Sequence, residues 1–179
     1  MRGVRERLLP WVDELPRRSL AVVSTVVLHA TEEPTLADAR RLAEASDDRV
    51  AGHLYLDRDG AAELWVPLDR EARHAAGHNA HSLGIELVNL GRHPDHFASG
   101  AQEPTEPFPS AQVASLEVLL RLLRDDVPSL TTLARHSDLD RRLVPASDDA
   151  SRQVRRRIDP GPLFPWDRVR RSWDEGPVR

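Results

Sequence analysis

Ten residues from Ser19 to Leu28, reading SLAVVSTVVL, are apolar or β-branched apart from Ser19 and Ser24. No alternation of polar and apolar residues runs through them, so neither side of such a strand can face water. A strand of that kind needs cover on both faces, which points to a layered α/β fold. The run ends in His29-Ala30-Thr31, and open α/β sheets gather their ligand-binding residues at the carboxyl ends of their strands. Position alone therefore makes His29 a candidate site residue, although a hydrogen-bonded histidine at the rim of the sheet fits the same place.

The layers around this strand can be read from the rest of the 179 residues, a length suited to one domain with a real core. Residues 1–18 read as an amphipathic lead-in, with Val4, Leu8, Leu9 and Val12 on one side and Pro16 at its end; residues 19–170 form the domain and 171–179 a tail. From Thr31 to Ala45 the Thr-Glu-Glu-Pro start suits a capped first turn, and Leu36, Ala39, Leu42 and Ala43 recur at helical spacing. Val50–Leu56 and Ala61–Val66 read as strands joined by the turn Asp57-Arg58-Asp59-Gly60, with His53 inside the first. Ser82–Leu90 is another apolar strand, and it holds Glu86 among Ile85, Leu87 and Val88. A carboxylate there is costly unless it is paired, bound to a metal, or kept protonated for proton transfer. Residues 91–110 lack periodicity and form a long loop. Pro109–Asp125 is an amphipathic helix, Leu130–Ala134 a short strand that delivers His136, and the residues after Pro162 a short helix packing Phe164, Trp166 and Val169 before it frays.

Composition narrows the chemistry. The chain has no cysteine, which excludes disulfides, thiolate metal sites and a cysteine nucleophile. All 25 basic residues are arginine, so any role usually filled by a catalytic lysine passes to another group. A net charge of -4 gives no reason to expect nucleic acid as a partner. No apolar run is long enough for a secretory signal or a membrane span, so the chain is expected to be cytosolic or released by other means, and a monomer is expected. A metal site here must use histidine and carboxylate, and the segment from Arg135 to Pro162, RHSDLDRRLVPASDDASRQVRRRIDPGP, is the place to look. It is too polar for burial alone to fix its shape, and a bound ion or charged substrate would do so. The candidates are His29, His53, His74, His78, His136, Glu86, Asp138 and Asp159, and spacing alone does not say which converge. His74, His78 and His81 within Glu71–His81 suit a solvated loop as well as a ligand cluster.

Six segments, VVLHAT, GHLYLDRDGAAELWVPLD, RHAAGHNAHSLGIELVN, FPSAQVASLEVLLRLL, ARHSDL and DPGPLFPW, stand in an order and spacing that resembles the type 2 N-acetylmuramoyl-L-alanine amidases. That zinc family includes peptidoglycan recognition proteins and phage amidase lysozymes. The likeness runs from Val22 to Trp166. It implies a mixed central β-sheet flanked by helices. An Ile-Glu-Leu strand combined with an Asp-Pro-Gly-Pro turn is most similar to the cytosolic amidases that recycle anhydromuropeptides.

The resemblance implies His29, His136 and Asp159 as ligands of one zinc ion, with an open position for water. It implies Glu86 as the catalytic acid and base, and it places Arg157 where the family commonly has a second catalytic lysine. Arginine there can donate hydrogen bonds but cannot shuttle protons. His53, His74 and Asn79 match positions that line the family's substrate groove. The family's Trp-His-Ala-Gly reads here as Arg73-His74-Ala75-Ala76-Gly77, so Arg73 is a candidate contact for a stem-peptide carboxylate. The implied substrates are peptidoglycan fragments, cut between the lactyl group of N-acetylmuramic acid and L-alanine. A module that holds muropeptides without cutting them, and a lytic enzyme of a phage or toxin system, remain open as alternatives.

Overall fold

The strand run at Ser19–Leu28 is the middle of the fold, but it begins later than its composition suggests. In the computed structural model, which describes residues 3–175, Leu20–Val22 form a turn of 3-10 helix and the strand proper is Thr25–Ala30. The side chain of Ser19 accepts a hydrogen bond from the Ala21 amide and caps that turn. The strand then runs past Leu28, so His29 lies inside its last turn of pleat. Taking the strands in chain order as β1 (Val4–Glu6), β2 (Thr25–Ala30), β3 (Leu54–Leu56), β4 (Ala62–Leu64), β5 (Ser82–Leu87) and β6 (Thr132–Arg135), the sheet order is β1-β4-β3-β5-β2-β6. β2 is parallel to both β5 and β6, while β3 and β4 form the antiparallel hairpin, so the sheet is mixed.

Pleating divides the sheet into two faces. Val26, Leu28, Leu54, Leu56, Leu83, Ile85 and Leu87 pack under helix α2 (Ser110–Asp126) and the C-terminal helix, described below. Tyr55 on the other face joins Trp65, Leu9, Trp11 and Leu15, together with Ala39 and Ala43 of helix α1 (Leu36–Glu44). The helix α1 starts after Pro34 and not at Thr31. Thr35 is its cap, accepting from the Asp38 amide, and Leu42 faces solvent. Thr31–Pro34 instead turn sharply, with Glu32 at a φ of 54° and its side chain buried against Arg92.

The described part of the lead-in, residues 3–18, adds β1 to the sheet edge and buries Leu9, Trp11, Val12 and Leu15, so it is built into the core. The expected strand at Val50 shortens to Leu54–Leu56, with His53 just ahead of it; Asp57–Gly60 make the anticipated turn, closed by the Asp57 amide on the Ala61 carbonyl. After β6 come a short helix α3 (His136–Leu139), a small hairpin of β7 (Leu143–Pro145) and β8 (Gln153–Arg155), and helix α4 (Trp166–Glu175). The last continues through Arg171–Glu175 because Trp173 is buried against α2, where Arg124 donates to its carbonyl. Residues 1–2 of the lead-in and 176–179 of the tail lie outside the described residues. Among the described residues no helix is long and apolar enough to cross a membrane.

One buried side chain ties α2 to the sheet. Gln112 donates from Nε2 to the carbonyls of Leu56 and Val88, both at 3.0 Å, at the ends of β3 and β5. Gln112→Leu keeps the volume and removes the donor, so it is expected to destabilise the fold by about 1–3 kcal/mol in urea unfolding; an unchanged midpoint would show that these carbonyls find other partners.

Candidate active site

Strand register brings the first two site residues together. His29 and Glu86 are direct partners across the parallel pair β2–β5, so their side chains leave the same face as neighbours. Tyr55 partners Glu86 on β3, and Glu63 partners Tyr55 on β4. A polar row therefore crosses the sheet on the face opposite α2. His136 extends it, since Leu28 pairs with Arg135 across β2–β6 and His136 follows at once. Asp159 comes from the Asp-Pro-Gly-Pro turn, which is tied to α3 by the Ser137 amide donating to the Asp159 carbonyl at 3.0 Å.

These residues meet at one point. His29 Nδ1 lies 3.0 Å from His136 Nδ1 and 3.1 Å from Asp159 Oδ2, and His136 Nδ1 lies 2.9 Å from the same oxygen. All three residues are buried, and Asp159 Oδ1 has no hydrogen-bond partner although it too is buried. Burial lowers the His29 imidazole to about 4, only partly opposed by the hydrogen bond to Asp159. Burial works against the Asp159 carboxylate, but the hydrogen-bonding imidazoles of His136 and His29 outweigh it and hold the acid below its ordinary range. Two imidazole nitrogens and a carboxylate oxygen at this spacing suit a divalent cation. Tetrahedral zinc with nitrogen and oxygen ligands sets donor atoms about 3.3 Å apart, and the 2.9–3.1 Å seen here lies just inside that value.

Glu86 stands beside this group, with Oε1 4.0 Å from His29 Nδ1 and 16% of its side chain still exposed. Burial raises its carboxyl to about 8, helped by the charge of Asp159 and opposed by Arg157. Gly52 runs bare backbone along it, and a β-carbon there would sit 2.9 Å from Glu86 Cγ. Arg157, Glu86 and the three clustered residues line one cavity of about 170 Å³. The Arg157 Nε is buried without a partner. Two grooves meet this cavity. One is largely apolar, with Ala39, Leu42, Val50 and Tyr55 leading to Glu86; the other is basic, with Arg73, Asn79, Arg156 and Arg157.

The remaining candidates separate by burial. His53 has no exposed surface, and its Nδ1 accepts from the Gly84 amide at 3.0 Å while Nε2 faces the Arg70 carbonyl at 3.0 Å. Both nitrogens are occupied inside the protein, and the ring braces β5. His74 is largely buried against His29, with Nδ1 3.0 Å from His29 Nε2, and its remaining surface lines both the site cavity and the basic groove. Asn79 lines the basic groove, yet its Oδ1 accepts from the amides of His74 and Ala75. Arg73 is exposed at the groove and donates to the Asp48 carbonyl at 2.9 Å. His78 is exposed, and Asp138 pairs with Arg135 away from the cluster. Sequence reasoning missed Ser82, Gly52, Gly84 and the Glu32–Arg92 pair. Gly84, alternating with Glu86 in an apolar strand, was the one signal available.

Comparison with known proteins agrees with this geometry. Residues 19–162 match the N-acetylmuramoyl-L-alanine amidase family. The chain is 28% identical over 170 residues to the 1,6-anhydro-N-acetylmuramyl-L-alanine amidase AmpD of Escherichia coli (strain K12), covering 90% of this chain and 71% of that protein. Its fold is similar to the endolysin amidase LysCS from Clostridium intestinale, at a TM-score of 0.66, 22% identity and 97% of both chains. It is also similar to AmiD from E. coli in complex with anhydro-N-acetylmuramic acid-L-Ala-D-γ-Glu-L-Lys, at a TM-score of 0.64, 23% identity, 84% of this chain and 57% of that one.

The ligand set predicts that protein loaded with zinc and then gel-filtered retains one equivalent by elemental analysis. His136→Ala is expected to retain well under a tenth of that; full retention by this variant would place the metal elsewhere.

Proposed function

Because the chain belongs to the N-acetylmuramoyl-L-alanine amidase family, we propose that it is a zinc-dependent hydrolase of soluble anhydromuropeptides, cutting the amide between the lactyl group of 1,6-anhydro-N-acetylmuramic acid and L-alanine. The observation that carries this reading is the meeting of His29, His136 and Asp159 beside the Glu86 carboxylate on a shared cavity. The AmpD relative supports the anhydro sugar, and the ligand named for the AmiD complex supports a peptide bearing free carboxylates.

His29, His136 and Asp159 would hold the zinc ion, which supplies positive charge to polarise the scissile carbonyl and to acidify water. Glu86 takes a proton from the attacking water as oxygen bonds to the carbonyl carbon, then returns it to the alanine nitrogen as the carbon–nitrogen bond breaks. A carboxyl that burial has raised to about 8 holds a proton readily, and a nearby cation brings it back to a carboxylate able to accept one. Arg157 donates hydrogen bonds to the carbonyl oxygen as charge builds there, without exchanging protons. The basic groove with Arg73 and Arg157 takes the acidic stem peptide. The apolar groove by Leu42 and Val50 takes the less charged saccharide end.

Mass spectrometry of an anhydromuropeptide incubated with the protein tests this. Free stem peptide is expected with zinc and none with a chelator, and intact substrate under zinc-replete conditions would sink the proposal if a control amidase cuts the same sample. Soluble anhydromuropeptides are expected to turn over faster than intact sacculi; the reverse order would indicate a lytic enzyme. Arg157→Ala is expected to lower kcat by about 10²-fold with zinc content unchanged, and Glu86→Gln by about 10²–10⁴-fold. Loss of zinc from Arg157→Ala would show that Arg157 supports the metal and not the carbonyl.

A further inference from the structure

Behind His29 the hydrogen bonds run in single file, and their direction is decided at the far end. Ser82 Oγ lies 2.8 Å from the carbonyl oxygen of His78, which can only accept, so the hydroxyl proton points there. Toward His74 Nε2, 3.2 Å away, Ser82 Oγ must then be the acceptor, and that nitrogen carries the ring's proton. His74 Nδ1 is consequently a bare lone pair. It faces His29 Nε2 at 3.0 Å, which must be the N–H. A neutral imidazole has one such proton, so His29 Nδ1 is left bare, and this is the atom turned toward His136 and Asp159.

The opposite arrangement is near at hand. The Asp159 carboxylate, 3.1 Å from His29 Nδ1, would favour a proton on that nitrogen, which is the tautomer unable to bind a metal there. Several features keep His74 in place to resist it. Gly84 has no side chain, and a β-carbon would meet the His74 ring at 2.6 Å, so the ring lies flat against bare strand. Asn79 Oδ1 accepts from the amides of His74 and Ala75 at 3.1 and 2.8 Å and fixes the backbone that carries the ring. His74 and His29 meet edge to face, with ring planes at 87°.

We propose that His74, braced by Ser82 and Asn79, is a positioning residue that holds His29 in the tautomer whose Nδ1 can take the metal. The inference rests on the metal reading above and adds the part of the chain that prepares the ligand. A hydrogen-bond partner on the far nitrogen of a metal-binding histidine typically accounts for 10–100-fold in metal affinity.

The experiment compares wild type, His74→Phe, His74→Asn and Ser82→Ala. Phenylalanine keeps the ring against Gly84 and loses the acceptor, whereas asparagine places Oδ1 close to where Nδ1 stood. Zinc affinity is measured by chelator competition, and the His29 tautomer by ¹⁵N–¹H correlation of the imidazoles in metal-free protein. His74→Phe is expected to lose about 10–100-fold in zinc affinity and to move the His29 proton from Nε2 to Nδ1. His74→Asn is expected to stay within a few-fold of wild type, with the proton on Nε2. Should His74→Phe fail to fold, Ser82→Ala carries the test, because His74 is then free to reverse its proton and the same two changes are expected in smaller measure. Wild-type zinc affinity and an unmoved His29 proton in these variants would overturn the proposal. So would a raised KM with affinity for zinc unchanged, which is the signature of a substrate contact. Both primary readouts are taken without substrate, so a protein that binds zinc and cleaves nothing would sink the hydrolase reading and leave this one standing.

Discussion

Two imidazole nitrogens and a carboxylate oxygen, each carrying lone pairs, are held within 3.1 Å of one another in a part of the protein that water barely reaches. Left to themselves these atoms would separate or trade protons, so their closeness is imposed by everything around them. The sheet supplies the first constraint. Direct pairing of β2 with β5 and β6 leaves His29 one fixed distance from Glu86 and from the start of α3, and a slip of one residue in either pairing would turn these side chains into the apolar face under α2. The apolar packing of Leu28, Ile85 and Leu54 under α2 thus specifies the polar row on the other side.

A second constraint comes from a buried pair of charges beside the site. Glu32 and Arg92 are joined by two bonds of 2.7 and 3.0 Å with almost no exposed surface, and the same guanidinium donates to the carbonyls of Arg155 and Arg156. One buried cation therefore fastens the turn after His29 and the long loop to the strand that leads into Arg157 and Asp159. Such a pair adds little net stability over apolar packing. Its value here is geometric, because Asp159 lies in a segment with few apolar side chains and has no core of its own to hold it. Arg156 and Arg142 complete the hold on that segment by flanking Asp140, whose carboxyl they keep well below its usual range.

Much of this was legible in the sequence, for reasons that differ between residues. The covered strand could be read because β-branched runs have few other uses, although the first six residues of the run, Ser19 to Ser24, precede the strand and include a 3-10 turn with Val22 exposed. His29, His136, Asp159 and Glu86 emerged once six segments were matched in order, since resemblance carries information about convergence that spacing lacks. For His53 and His74, motif position says that they stand near the site but not how each side chain is held there. Packing decides that. It depends on Gly84 leaving room for a ring and on Ser82 waiting behind it, both long-range facts about how the 74–82 loop folds back on β5. The Glu32–Arg92 pair was out of reach for a similar reason, because two charges 60 residues apart leave no periodic trace.

The absence of lysine gives the site its individual character. A lysine beside the ligand aspartate could change its protonation state as the metal and substrate came and went, since burial readily lowers an ammonium group's pKa. Arg157 cannot, and it remains a cation throughout. A permanent positive charge there lowers the Glu86 carboxyl, and the ion that His29, His136 and Asp159 would hold acts in the same direction. In the proposed mechanism proton transfer would then fall to Glu86 alone, between two fixed sources of positive charge. The burial that raises Glu86 opposes them both, so the surrounding protein, and Gly52 in particular with its bare approach to Glu86 Cγ, would keep this carboxylate basic enough for the proton transfer proposed for it.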